Sequence, residues 1–117
     1  MLCQQLVQQP NKYAEGWNFG PNEEDAQPVS NLADIIVKNW GEQASWGLDE
    51  ATHFHEANFL KLDCSKAKTQ LKWKPIWNLE RALKETVQWY KAWHNKADMY
   101  KFSLNQIKTY QWERLAQ

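Results

Sequence analysis

Leu62-Asp63-Cys64-Ser65-Lys66-Ala67-Lys68-Thr69-Gln70-Leu71-Lys72-Trp73-Lys74-Pro75 is the stretch on which the fold turns. Asp63 can cap a helix, and Cys64, Ala67 and Leu71 then share one helical face. Lys74-Pro75 ends that helix, because a residue before proline is pushed out of helical geometry. Downstream, Asn78 opens a longer helix with Leu79, Leu83, Val87 and Tyr90 on its inner side and Glu80, Lys84 and Lys91 on its outer side. Ser103 and Gln106 have capping-box spacing ahead of Leu104, Ile107 and Tyr110, which predicts a final helix starting there.

Upstream, Phe59 to Leu62 is a short apolar run, read as a strand, and the polar stretch 49–58 precedes it. Ala44, Trp46 and Leu48 alternate with Ser45 and Gly47, which predicts a second strand. Ser30 can cap a helix whose inward face is Leu32, Ile35, Ile36 and Trp40, with Gly41 closing it. Asn22 to Gln27 is acidic and loop-like. Gly16 and Gly20-Pro21 bracket Trp17 to Phe19, read as a third, buried strand. Leu2, Leu6 and Val7 fall at helical spacing until Pro10 stops the pattern. No capping residue precedes them, the pattern of a truncated chain that starts inside a helix. The expected fold is therefore a helix-rich α/β unit with three or so very short strands, a single partial domain over 1–117 that would prefer a neighbour.

Lys plus Arg balances Asp plus Glu at 14 each, so no bulk field recruits nucleic acid or an acidic membrane surface. No apolar run approaches the ~20 residues that span a bilayer, and Met1-Leu2-Cys3-Gln4-Gln5 lacks the basic start of a signal peptide. The expectation is a soluble cytoplasmic protein with reduced thiols at Cys3 and Cys64. Eight Trp in 117 residues supply much of the apolar surface, and several must face water, a partner or a second copy in a homo-oligomer. Trp17, Trp46 and Trp77 are candidate stacking platforms; Trp89 and Trp93, one helical turn apart, read as packing. Cys64 reads as a small helix-face residue rather than a nucleophile. Lys101, Lys108 and Arg114 read as a solvated face.

Several blocks together resemble a known family. Trp17-Asn18-Phe19-Gly20-Pro21-Asn22-Glu23 is similar to the strand and turn leading into the substrate-binding lobe of the extended short-chain dehydrogenase/reductases that act on nucleotide sugars. Asp63-Cys64-Ser65-Lys66-Ala67 followed by Leu71-Lys72-Trp73-Lys74-Pro75 resembles their D-x-S-K-A…L-G-W-x-P signature. His55-Glu56-Ala57-Asn58-Phe59-Leu60-Lys61-Leu62-Asp63, and the tail from Asp98-Met99 to Gln106-Ile107, are closer to the member acting on a CDP-sugar than to its thymidine or uridine relatives. Lys72 departs from the pattern, standing where the superfamily usually has Gly, so the helix there should close without an easy left-handed residue.

The resemblance implies the C-terminal substrate-binding lobe of an enzyme whose N-terminal Rossmann half is absent here. For the whole enzyme it implies a 4,6-dehydration: oxidation at C4, loss of water across C5 and C6, and hydride return. NAD would carry the hydride, and the CDP-4-keto-6-deoxy sugar formed would feed O-antigen or other surface polysaccharide. Gly16, Gly20, Gly41 and Gly47 cannot form a dinucleotide fingerprint in any register, and none of Tyr13, Tyr90, Tyr100 or Tyr110 has Lys four positions on. The chain alone is thus expected to bind no cofactor and to lack a catalytic residue. A remaining half-site is expected in the loop before Asp63. The family's diphosphate-binding Arg position falls on His53 and its ribose position on Glu56, with His55 and Asn58 as nearby second choices. A carboxylate suits a vicinal diol, accepting from two hydroxyls at once, whereas histidine lacks the guanidinium fork. His53, His55 and Glu56 could alternatively be metal ligands, although no fourth ligand has a compelling spacing. The rival reading, from another class, is a stand-alone truncated remnant acting as a nucleotide-sugar-binding or protein-interaction module.

Overall fold

The computed structural model describes residues 1–48 and 62–116. Its elements run α1 (Leu2–Gln8), α2 (Pro10–Tyr13), a 3-10 turn (Glu23–Asp25), α3 (Val29–Trp40), α4 (Ser65–Gln70), α5 (Leu79–His94) and α6 (Met99–Leu115). Pro10 separates α1 from α2 and serves as the first residue of the latter, where its missing N–H is no loss.

No strand forms among the described residues, which corrects the expected α/β class to a helical one over that range. Trp17 to Phe19 has no partner strand among the described residues; Trp17 donates Nε1–H to the Tyr13 carbonyl at 2.9 Å. The segment from Ala44 to Leu48 follows a left-handed pair, Glu42 (φ 54°) and Gln43 (φ 62°), that turns the chain back beside α3. There Trp46 donates Nε1–H to Asp34 Oδ1 at 2.8 Å, a side-chain bond in place of a ladder. The third expected strand, Phe59 to Leu62, lies outside the described residues except for Leu62, which is not in one.

Helix α5 starts as its sequence predicts: Asn78 Oδ1 accepts from Arg81 N at 2.9 Å, and Asp25 Oδ1 accepts from Leu79 N at the same distance. Two orphan donors of the first turn are thereby satisfied, one of them by the 3-10 turn far upstream. Helix α3 ends at Gly41 (φ 68°), but it starts at Val29 after Pro28, with Ser30 already inside it and no side-chain cap. The final helix begins four residues before Ser103. Asp98 caps it by accepting from Lys101 N at 3.1 Å, while Ser103 and Gln106 face α5. Ser103 Oγ accepts from Trp89 Nε1, and Gln106 Nε2 donates to the Glu85 carbonyl and carboxylate. A three-residue spacing also places two side chains on one face of a continuing helix, and that is its use here.

Helix α5 lies between α3 and α6. Lys91, expected on the wet side of α5, instead donates to the Trp40 carbonyl at 2.8 Å and pairs with Glu42 at 3.1 Å, closing the C-terminus of α3. Arg81 bridges Glu85 and Glu113, tying early α5 to late α6. Buried apolar residues among those described are Tyr13, Cys64, Ala67, Leu71 and Val87. The shared face of Cys64, Ala67 and Leu71 read from spacing is thus the larger part of the core. No helix of the described residues is long and apolar enough to cross a membrane.

Candidate functional site

Glu56, His53, His55 and Asn58 all lie in 49–61, outside the described residues, as does the alternative metal set His53, His55 and Glu56. What the structure does define is the frame at the downstream end of that segment.

The two sequence blocks singled out above, 17–23 and 62–75, are clasped together across more than forty residues of chain. Asn18 Nδ2 donates to the Asp63 carbonyl at 3.2 Å, and Lys68 Nζ donates to Asn22 Oδ1 at 3.3 Å. Lys66 pairs with Glu15, donates to the Gly16 carbonyl at 3.1 Å, and stands 4.6 Å from the centre of the Trp17 ring. That ring stacks on Tyr13, with centroids 5.9 Å apart. Gly20 lets the two blocks approach closely: a Cβ there would lie 3.3 Å from Cys64 Sγ and 3.6 Å from Leu62 Cβ, tight enough that a neighbouring side chain would have to yield. Further along, Phe19 meets Trp73 edge to face at 5.1 Å, so both ends of the signature touch the same upstream block.

Helix α4 starts from this clasp. Asp63 works one residue ahead of the cap position held by Cys64, with Oδ1 accepting from Ser65 N at 2.8 Å. Bonds from the Ser65 hydroxyl and then its backbone N–H, with help from the Lys68 charge, hold the Asp63 carboxyl below its ordinary value. The C-terminal end of α4 resolves the departure at Lys72. That residue takes the left-handed conformation itself (φ 53°), and the Ala67 carbonyl accepts from both Leu71 N and Trp73 N.

Of the Trp residues proposed as platforms, Trp17 and Trp77 are built into the fold. Trp77 packs edge to face on Tyr110 at 5.0 Å and donates to Glu113 at 2.6 Å. Trp46 stands at the rim of an apolar cleft of about 300 Å³ lined with Ala33, Ile36, Val37 and Trp40. A second cleft, of about 250 Å³, lies between Lys72, Trp73 and Lys74 on one side and Tyr110 and Arg114 on the other. Cys3 is exposed and Cys64 buried, and neither is in a disulfide.

The described residues contain no group of three or more His, Cys, Asp or Glu able to hold a metal. Gly41 closes α3, and Gly20 packs against Cys64 and Leu62. Sequence reading missed the bridging role of Lys66 and the capping role of Lys91. The signal for Lys66 was its place inside the block Asp63–Ala67 that resembles a family signature; for Lys91 there was none, since its acceptor is a carbonyl of another helix.

No family model matches the chain. Over 110 residues, 94% of its length, it is 47% identical to the CDP-glucose 4,6-dehydratase of Salmonella typhimurium. That match takes in 31% of the enzyme, so the chain spans about a third of the length of the curated relative it matches. Along nearly its whole length this chain is therefore similar to the C-terminal part of a CDP-glucose 4,6-dehydratase.

Proposed function

We propose that this chain forms the nucleotide-sugar-binding part of a CDP-glucose 4,6-dehydratase-like enzyme of the cytoplasm and is inactive alone. The 47% identity over 94% of the chain carries the reading. It is supported by the clasp, which anchors Asp63 and so fixes one end of the segment bearing the candidate residues. In this reading Glu56 accepts from the ribose hydroxyls of a CDP-sugar, each charge-assisted bond contributing roughly 1.5 to 3 kcal/mol. His53 lies toward the diphosphate, and His55 and Asn58 flank the pair. Redox chemistry belongs to a Rossmann half outside this sequence, because these residues supply neither a dinucleotide turn nor a Tyr-Lys pair.

Calorimetric titration with CDP tests the proposal. Weak binding is expected, and Glu56→Ala should abolish it without lowering the melting temperature. Binding that survives in the variant refutes the assignment of Glu56; no binding by the parent chain favours the remnant reading, which the exposed apolar residues of α5 and α6 also support.

A further inference from the structure

The cleft of about 250 Å³ between the end of α4 and late α6 collects one sign of charge. Lys72 and Lys74 flank Trp73 on one side, and Tyr110 and Arg114, one helical turn apart, form the other. No carboxylate is among the lining residues. Glu113, the acid next to Arg114 in the chain, is committed to Trp77 and Arg81. Lys72, Lys74 and Arg114 make no ion pair among the described residues, whereas Lys66, Arg81, Lys91 and Lys101 all do. Trp73 Nε1–H and the Tyr110 hydroxyl have no hydrogen-bond partner among the described residues either. Both rings are held by other rings, Trp73 edge to face with Phe19 at 5.1 Å and Tyr110 with Trp77 at 5.0 Å. The two walls are therefore set before a ligand arrives, which lowers the ordering cost of binding.

Lys72 adds an independent observation. It holds φ at 53°, a conformation that glycine fills without strain, yet its side chain gives the described fold no hydrogen bond or ion pair in return. Strain of this kind collects at binding sites, where the side chain is used for something other than stability. We propose that the cleft binds a small phosphate monoester. Arg114 presents its guanidinium fork to the phosphate, Lys72 and Lys74 supply point charges, and the organic part lies against Trp73 and Tyr110. Near neutral pH such a phosphate carries close to two negative charges and three acceptor oxygens, which match three cations and two neutral donors. At about 250 Å³ the cleft falls below the ~300 Å³ at which sites for drug-sized ligands begin, so it suits a phosphate with one ring and not a whole nucleotide sugar. It uses none of the residues assigned to the CDP-sugar. A protein surface seated here would have to bring carboxylates to three cations or leave them uncompensated, at a large desolvation cost.

Proton–nitrogen correlation NMR of the chain tests the proposal, with phenyl phosphate, glucose 6-phosphate and inorganic phosphate titrated separately at constant ionic strength. Saturable shifts are expected at the Trp73 indole N–H and at the backbone amides of 72–74 and 110–114. The tighter of the two esters, which tells a flat organic part from a saturated one, should bind roughly threefold or more above inorganic phosphate. Arg114→Ala and Lys72→Gly should each weaken that ester roughly fivefold or more. Lys72→Gly should do so while raising the melting temperature, which separates a ligand contact from a structural role. Lys38→Ala, on α3, and Glu56→Ala should leave the binding unchanged, so loss of this site and loss of CDP binding are read separately. Absence of saturable shifts overturns the proposal, as do shifts that Arg114→Ala and Lys72→Gly leave in place. So does inorganic phosphate binding as tightly as both esters, or a polyglutamate peptide occupying the same residues more tightly than either.

Discussion

Replacing Lys72 with glycine should stabilise the protein. Lys72 holds φ at +53°, where an L side chain crowds the following carbonyl at a cost of about 1 to 2 kcal/mol. Its side chain is exposed and makes no hydrogen bond or ion pair among the described residues, so truncation forfeits little. Against the relief stands the greater freedom that glycine gives the unfolded chain, worth roughly 0.5 to 1 kcal/mol. The net expectation is a gain of about 0.5 to 1 kcal/mol, or some 2 to 6 °C in melting temperature for a domain of this size. Lys72→Val sharpens the test, because a β-branched residue is the worst occupant of that conformation and should destabilise by more than about 1 kcal/mol. Urea unfolding followed by tryptophan fluorescence gives both differences. If Lys72→Gly lowers the midpoint, or if glycine and valine behave alike, α4 does not end as described. Removal of the positive charge is controlled by Lys74→Gly.

Two further outcomes are expected. Lys91→Met removes a charge-assisted bond to the last turn of α3, with the lysine side chain about a third exposed, and should cost about 1 kcal/mol by chemical denaturation; an unchanged midpoint would refute its capping role. Asp63 and Asp98 are both held below the ordinary value of 3.8, Asp63 chiefly by the Ser65 hydroxyl and N–H and Asp98 chiefly by the Lys101 N–H. Their contribution is fully present above that value and is lost as pH falls through the lowered folded values, so stability should hold from neutrality to about pH 4 and decline below. Asp63→Asn with Asp98→Asn keeps both acceptors but removes the titration, and an acid decline as steep as the parent's would contradict the attribution.

Helix-level features were legible wherever a local signal sufficed. Asn78 before Leu79, Gly41 after Trp40, and the face shared by Cys64, Ala67 and Leu71 each follow from neighbours within a turn or two, and each is found. Trp17 to Phe19 and Ala44 to Leu48 form no strand among the described residues, because a short apolar run in the first and a brief alternation in the second signal burial, not pairing; a strand needs a partner edge that no local pattern guarantees. Ser103 and Gln106 failed because their spacing is shared by caps and by one face of an established helix, and the deciding residue, Asp98, sits a turn earlier. The candidate site was legible only through resemblance. Glu56 and His53 carry no periodic or capping signal that distinguishes them from other polar loop residues, so their assignment stands on the family pattern and on the position of Asp63.

Under the proposed function, substitutions that change stability and substitutions that change nucleotide binding fall in different places, which gives the binding test its force. The frame beside the site rests on contacts between 13–22 and 62–73: the Asn18 and Lys66 bonds, the Trp17 stack, and the close fit of Gly20 to Cys64. The helical layer rests on a different set, Val87, the Arg81–Glu85–Glu113 bridge and the Lys91 cap. A substitution in the layer should therefore change the unfolding midpoint while leaving CDP affinity nearly fixed until the chain unfolds. One in the clasp, such as Asn18→Ala, should weaken affinity out of proportion to its small effect on stability, because it frees the end of the segment that carries Glu56.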